Sequence, residues 1–286
     1  MSKWISSIEY IYFKLLITYK IRDLLIEAAG IDRSGTHYVK IRDGFIFYGP
    51  ESRQKDYKYY RLLPGRIKHQ LPFSCYSIAT DIIIRYSMGG LKLGGPKKER
   101  YYHVKPGDIV SEMGAYRGYF CLYLSQKVGS AGKVIAIEPL ESNLYFLRKN
   151  VEENKITNVS IVSKGVWKEK SRLLFKKGKR DYQSSSINLN HINADEFQVD
   201  VDSLDTIYSE LGVKTIDLII IQLNGSELEA LEGLNHYRPE NMAIAARYNR
   251  GGFRAARQIK DHLKRKDYLI TICNRDYIFA EKIYIH

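Results

Sequence analysis

Two carboxylates and two glycines carry the first chemistry that can be read from this chain. Glu112 stands just ahead of Gly114 and Gly118 in Asp108-Ile109-Val110-Ser111-Glu112-Met113-Gly114-Ala115-Tyr116-Arg117-Gly118-Tyr119-Phe120. Ile109 and Val110 form a short apolar run, entered from the turn Lys105-Pro106-Gly107-Asp108. The run breaks at the glycines and resumes as an apolar-rich segment to Gly129, a pattern that predicts a strand, a tight loop and a helix. Gly114 allows a backbone angle that a side chain resists, and Gly118 allows close approach to a ligand or a neighbouring strand. The helix start leaves free N–H groups aimed above the loop. A Gly-x-Gly-x-x-Gly loop grips a pyrophosphate. An acid in the loop repels one and suits a ligand that carries an ammonium group.

The second carboxylate, Glu138, closes another apolar run, Lys133-Val134-Ile135-Ala136-Ile137-Glu138-Pro139. An acid at the carboxyl end of a second strand can accept hydrogen bonds from both hydroxyls of a ribose. Strand, glycine loop, helix, strand and acid together describe a nucleoside site at the switch point of a doubly wound sheet. In this pattern the chain resembles the class I S-adenosylmethionine-dependent methyltransferases. Gly118-Tyr119-Phe120, Gly132-Lys133-Val134, Glu138-Pro139 and Asn150-Val151-Glu152-Glu153-Asn154 resemble the FkbM family more specifically.

The resemblance implies S-adenosyl-L-methionine as cofactor. Glu112 and the backbone of Gly114, Ala115, Tyr116 and Gly118 would hold its methionine end. Glu138, followed by Pro139, would take the ribose, and Ser163, Lys164 and Gly165 would border the adenine. Trp167 can stack nearby or serve the core. The implied fold is a doubly wound Rossmann-like α/β sheet closed by a C-terminal antiparallel hairpin.

Methyl transfer from a sulfonium needs donor and acceptor in line, and sometimes a base for the acceptor proton. The fourth parallel strand ends in Ile221-Gln222-Leu223-Asn224-Gly225-Ser226-Glu227. This resembles the family stretch lysine–isoleucine–aspartate–valine–glutamate–glycine–alanine–glutamate. It matches at Ile221, Gly225 and Glu227, and departs at Ile220, Gln222 and Asn224, where the family has charged groups. The departures remove the expected carboxylate base and metal ligands, so no metal is expected. Gln222 and Asn224 can still orient a hydroxyl or an amide. Glu227 can contact substrate or only favour the helix dipole. His191, Asp205 and Tyr248 are the other base candidates, and Arg247 and Arg250 can receive an anionic acceptor.

The chain has 286 residues, 44% of them hydrophobic, which admits a proper core and excludes a disordered chain. Cys75, Cys121 and Cys273 show neither metal-ligand spacing nor a disulfide framework, and a cytoplasmic, reducing setting is the simplest reading. The net charge of +13 attracts polyanions, although its spread through the chain reads first as a solvated surface.

Residues 1–100 read as an N-terminal extension and 101–286 as the cofactor domain. Ser2 to Ala29 is expected to be one long helix, stopped at Gly30. Its charges exclude a membrane span. Its apolar face is expected on the protein body or a second subunit, ahead of a peripheral membrane contact. His37 to Gly49 predicts a hairpin across Asp43-Gly44, and Ile78 to Tyr86 a short helix. Met88 to Pro96 reads as the boundary between the two parts. Tyr57, Tyr59, Tyr60, Arg61, Arg66 and His69 are suited to gripping a polar or anionic acceptor. The extension is expected beside the carboxyl ends of the strands.

Beyond Tyr101 the strand–helix alternation is regular. Helices are expected at Tyr119–Val128, after Pro139, at Ser203–Leu211, after Ser226 with a capping box to Glu229, and at Arg254–Lys266. Strands are expected at Val159–Val162, Val166–Trp167, Arg172–Phe175, Asp217–Ile221 and Met242–Ala246. A closing hairpin is expected around Asn274-Arg275-Asp276, and Asp181–Glu196 reads as a polar loop over the site.

Three functions fit these residues. One is O-methylation of a sugar, lipid-linked or other small hydroxyl acceptor, as the resemblance implies. A second, which the charge admits without favouring, is methylation of RNA or protein. The third is a cofactor-fold binding module without catalysis, suggested by the neutral Gln222 and Asn224.

Overall fold

Continuous apolar runs make the centre of the fold, as expected of parallel strands covered on both faces. The computed structural model describes residues 26–52, 71–82, 102–176, 185–186, 196–246, 249–250, 253–273 and 277–284. Its main sheet contains β4 (Ile109–Met113), β5 (Lys133–Ile137), β6 (Val159–Val162), β11 (Leu218–Ile221), β12 (Asn241–Ala245), β15 (Tyr268–Cys273) and β16 (Tyr277–Lys282). The spatial order is β15-β16-β12-β11-β4-β5-β6. The pairs from β12 through β6 are parallel, while β16 pairs antiparallel with both β12 and β15. The chain runs outward from β4 to β6, then returns to β11 on the other side of β4. That reversal opens a crevice at the carboxyl ends of β4 and β11, where doubly wound sheets bind ligands.

The helices are α1 (Tyr76–Asp81), α2 (Tyr119–Val128), α3 (Glu141–Glu153), α4 (Leu204–Glu210), α5 (Glu227–Glu232) and α6 (Ala255–Arg265). One core contains Phe120, Leu124 and Leu147 with Val110, Val134 and Ile220. On the opposite face Met113, Ile135 and Ile219 pack with Tyr208, Leu231 and Ile259. Alternate residues of β4 thus serve opposite cores, the period-two rule of a strand.

The N-terminal part forms a second, antiparallel sheet of β1 (Ile26–Ile31), β2 (His37–Ile41) and β3 (Ile46–Gly49). The hairpin is as expected, but the long helix is not at its carboxyl end: residues 26–31 are a strand. Ile26 pairs with Ile41 and Gly30 with Tyr38, with a register irregularity between Ile26 and Ala28. Ile26 and Ala29 pack against the core of Val39, Ile41 and Phe47. Pairing with β-branched β2 therefore overrides the helical preference of the alanines. The rest of the expected helix, the aromatic-basic cluster from Tyr57 to His69 and the boundary at Met88–Pro96 lie outside the described residues. Among the described residues no helix is long and apolar enough to cross a membrane.

A third sheet orders β7 (Gly165–Val166), β10 (Glu196–Asp202), β8 (Ser171–Lys176) and β9 (Ser185–Ser186). Of the expected polar loop at 181–196, only Ser185, Ser186 and Glu196 are among the described residues, and these three are in strands. Ser185 and Ser186 pair with Lys176 and Phe175, and Glu196 already belongs to β10. On the apolar side of β10, Val199 and Val201 bury against Leu173, with Phe175, Phe197 and Trp167 packed around them. Trp167 thus has a core contact. His191 lies outside the described residues.

Candidate functional site

The loop after β4 closes against β5. The amides of Gly114 and Ala115 both donate to the Ile137 carbonyl, at 2.9 and 3.1 Å. Both site glycines adopt the left-handed region, Gly114 at φ 78° and Gly118 at φ 79°. A Cβ on Gly114 would run into the Gln222 backbone oxygen, and one on Gly118 into the Leu147 side chain. The two positions therefore need glycine for conformation and for space.

Glu138 follows β5 and is 4% exposed. Its Oε2 accepts the Tyr116 amide hydrogen at 2.8 Å. Its Oε1 accepts from the Leu140 amide at 3.1 Å and from Asn143 Nδ2 at 3.0 Å. Three N–H donors hold the carboxylate rigidly beside the loop. This bracing fixes where the two carboxylate oxygens of Glu138 point. Asn143 was not singled out from the sequence. Its signal was the helical spacing of Asn143, Leu147, Asn150 and Asn154, a stripe that places three side-chain amides on one face.

Glu112 is fully buried, and its Oε2 accepts a hydrogen bond from Cys121 Sγ at 3.0 Å. Cys121 lies on α2, so the carboxylate ties the end of β4 to the helix that the glycine loop feeds. Ala115 and Tyr116 are buried within that loop, and Tyr116 has φ 57°. Pro139 leads from Glu138 into α3.

Past β6, Ser163 accepts from Arg148 Nη2 at 2.9 Å. Lys164 Nζ lies 3.1 Å from Asp202 and 2.9 Å from Glu210, and these acids hold its ammonium above the usual lysine range. Gly165 sits in β7, where a Cβ would press on Val201. The segment is thus anchored to β10 and α4.

At the end of β11, the Gln222 amide donates to the Met113 carbonyl at 3.2 Å, which draws this strand end against β4. Gln222 Oε1 is buried and has no hydrogen-bond partner in the structure. Asn224 turns the chain at φ 57° and Gly225 at φ 122°. Glu227, 1% exposed, reaches back into this turn and accepts from the Leu223 amide at 3.1 Å and the Gly225 amide at 3.0 Å. The Ser226 side chain does not make its half of the expected capping box. Ser226 has φ −109° and ψ 22° and makes no side-chain cap bond. An N-cap needs extended backbone to aim its oxygen at the first turn, and Glu227 satisfies the loop amides instead.

Asp205 accepts the amides of Asn235, His236 and Tyr237, at 2.7, 2.8 and 3.1 Å. That organises the turn after α5 rather than the crevice. Arg247 and Tyr248 lie outside the described residues, and Arg250 is described only as backbone in β13 (Asn249–Arg250). Arg117, which the sequence placed in the loop without a role, pairs with Asp81 of α1.

These residues fit S-adenosylmethionine. The glycine loop forms a cradle that a Cβ would fill, and Glu138 stands rigid at the tip of β5. Gln222 adds a buried acceptor at the end of β11. Glu112 lies buried at the end of β4, bonded to Cys121 of α2.

The chain matches the Methyltransferase FkbM domain over residues 112–279. Among solved structures it is similar to an FkbM methyltransferase from Methylobacillus flagellatus KT, at 16% identity and a TM-score of 0.46, covering 79% of this chain and 59% of that one. A SAM-dependent methyltransferase from Aquifex aeolicus aligns at 18% identity and a TM-score of 0.39, covering 67% of this chain and 90% of that one. Aeropyrum pernix fibrillarin, solved with natively bound S-adenosyl-L-methionine, aligns at 13% identity and a TM-score of 0.44, covering 90% and 99%. No curated protein matches the sequence. The domain match runs from Glu112 in β4 to Phe279 in β16, more than half of the sequence. The chain belongs to the FkbM family of S-adenosylmethionine-dependent methyltransferases.

Proposed function

We propose that this enzyme methylates a hydroxyl group of a small sugar, glycan or lipid-linked acceptor, and does so without a metal ion. Gln222 carries the reading: its Oε1 is buried without a partner at the carboxyl end of β11, beside the glycine loop. A buried acceptor left unmatched costs free energy until a donor arrives, and a hydroxyl is such a donor.

The bound cofactor supplies an electrophilic methyl group. Glu112, the loop backbone of Gly114 to Gly118 and Glu138 bind and orient it. Ser163, Lys164 and Gly165 are proposed to border its adenine. Gln222 orients the acceptor O–H through Oε1, and Asn224 adds a second amide at the same turn. Glu227 holds that turn through the Leu223 and Gly225 amides. An amide oxygen is too weak a base to keep the proton, so it is proposed to pass to His191 or to solvent. Gln222 and Asn224 are neutral, whereas a divalent cation at this position would want carboxylates.

The test incubates the enzyme and cofactor with free sugars, lipid-linked glycans and RNA, with and without a chelator, and detects methyl transfer by mass spectrometry. A methylated sugar hydroxyl, formed equally with chelator present, supports the reading. Methyl groups found only on RNA, to which the +13 charge would draw the enzyme, overturn the acceptor class. Activity lost to chelator and restored by magnesium overturns the metal-free chemistry.

A further inference from the structure

Tyr116 lies in the cofactor loop at φ 57°, in the left-handed region. For a bulky side chain that conformation is an outlier and must be held by its surroundings. Its contacts include two that bear on this conformation. Its amide donates to Glu138 Oε2 at 2.8 Å. Its ring lies under the Arg117 guanidinium, with Cζ 4.4 Å from the ring centroid.

Arg117 is itself unusual. Its side chain is only 6% exposed, and its Nε has no hydrogen-bond partner in the structure. The Phe146 ring of α3 lies 5.7 Å from Cζ on a second approach. The opposite charge is Asp81, whose Oδ2 lies 3.3 Å from Arg117 Nη1. Asp81 is the last residue of α1, in the N-terminal part of the chain. Asp81, Arg117, Tyr116 and Glu138 thus form one continuous series from the N-terminal part to the acid of the cofactor site.

We infer that Asp81 and Arg117 are positioning residues that clamp Tyr116 in its strained conformation, and that through them the N-terminal part sets cofactor affinity. The ion pair keeps the buried guanidinium neutralised and flat over the ring. The ring's position fixes the Tyr116 amide toward Glu138. Without Asp81 the guanidinium is a buried cation without its counter-charge, which burial penalises heavily, and it leaves for solvent. Tyr116 then relaxes to negative φ and its amide turns away from Glu138. The inference rests on the cofactor assignment and not on the choice of acceptor.

The test is a double-mutant cycle read by calorimetric binding of S-adenosylmethionine, with thermal melting of each apo protein as the check on folding. Asp81→Asn should weaken cofactor binding by about tenfold or more. Asn tolerates the left-handed region, so a Tyr116→Asn protein no longer needs the clamp. Adding Asp81→Asn to that protein should change affinity less than about twofold. Arg117→Gln probes the pair from its other end and should behave as Asp81→Asn does in both backgrounds. An unchanged affinity in Asp81→Asn and Arg117→Gln overturns the clamp, as does the same loss in both backgrounds, which marks a general structural effect. Wild-type protein that binds no cofactor overturns the clamp and the cofactor assignment together.

Discussion

Asn150 pairs with Tyr48 as a strand would: Asn150 Oδ1 accepts the Tyr48 amide hydrogen at 2.6 Å, and Asn150 Nδ2 donates to the Tyr48 carbonyl at 3.1 Å. The same Nδ2 also donates to the Arg117 carbonyl at 2.8 Å. One turn on, Asn154 repeats the arrangement with the Ile46 amide and carbonyl, at 2.8 and 2.6 Å. Helix α3 therefore covers the free edge of β3 with side-chain amides. This satisfies backbone groups that an uncovered edge strand leaves open. It also joins the N-terminal sheet to the backbone of the cofactor loop.

Replacing Asn150 with Ala should be strongly destabilising. Asn150 is fully buried, and its loss leaves the Tyr48 amide and the Arg117 carbonyl without this partner. Buried groups left unmatched cost about 1–3 kcal/mol each, so a loss of roughly 2–5 kcal/mol is expected by denaturant unfolding. Hydrogen exchange at the Tyr48 amide should accelerate as well. An exchange rate unchanged from wild type would show that the edge is protected by something else.

Lys149, on the same helix, lies 2.8 Å from Asp32 and 4.6 Å from the Tyr48 ring centroid. The Lys149 hydrogen bond, with help from Ser34 and the Thr36 amide, holds the Asp32 carboxyl well below the usual range. A carboxyl whose folded value is depressed stabilises the protein above its unfolded value, near about 4, and loses that contribution as pH falls toward the folded value. Lys149→Met should therefore be less stable than wild type near neutral pH. The difference should narrow steadily below about pH 4. A gap in unfolding free energy that stays constant from pH 7 to pH 2 would mean that packing of the lysine stem, not the ion pair, matters there.

The parts of this fold that were legible share one property: their signal is local. Strand β11 is a run of apolar residues, and helix α2 lies between Gly118 and Gly129, so each shows its ends and its burial in the sequence itself. The turn at Asp43-Gly44 and the Ser203 cap, which accepts the Thr206 amide, were legible for the same reason. Strand β1 was not, because the alanines of 26–31 prefer a helix until β2 offers a partner. Strand β10 carries an alternating pattern in Phe197, Val199 and Val201, and the polar Gln198 and Asp200 between them make it read as a loop. At the site, the glycines and Glu138 were legible from spacing. Arg117 and Asp81 were not, because they stand 36 positions apart and meet only when α1 packs on the loop.

The two glycines of the loop should respond differently to alanine. Both would strain a side chain at positive φ, a cost of about 1–2 kcal/mol. At Gly118 the added methyl meets the end of the Leu147 side chain, which can move. At Gly114 it meets the Gln222 backbone oxygen, which is fixed by the pairing of β11 with β4. Gly118→Ala should fold and bind cofactor with reduced affinity. Gly114→Ala should separate the ends of β4 and β11 and lose binding. Calorimetry and melting on both variants check this, and equal losses would show that conformation matters and the near neighbour does not.

Glu138 separates bracing from ligand binding. Its carboxylate already accepts from Tyr116, Leu140 and Asn143, so removing it loosens the loop as well as the proposed ribose contact. Glu138→Ala should therefore lower both stability and cofactor affinity, the latter by about 1–3 kcal/mol, the worth of hydrogen bonds to a charged group. Glu138→Gln keeps a carbonyl oxygen for the donors on one side only and sets an NH₂, which cannot accept, against the other, so its affinity for each ligand is compared with that for the 2′-deoxy analogue in the same protein. If the carboxylate only braces the loop, adenosine and S-adenosylmethionine should lose no more affinity than their 2′-deoxy analogues. If it also takes the ribose, the wild-type protein should prefer the hydroxylated ligands, and the preference should shrink in Glu138→Gln. Measuring the four affinities in both proteins decides the matter. A ribose preference that survives the substitution intact would place the hydroxyl partner on another residue.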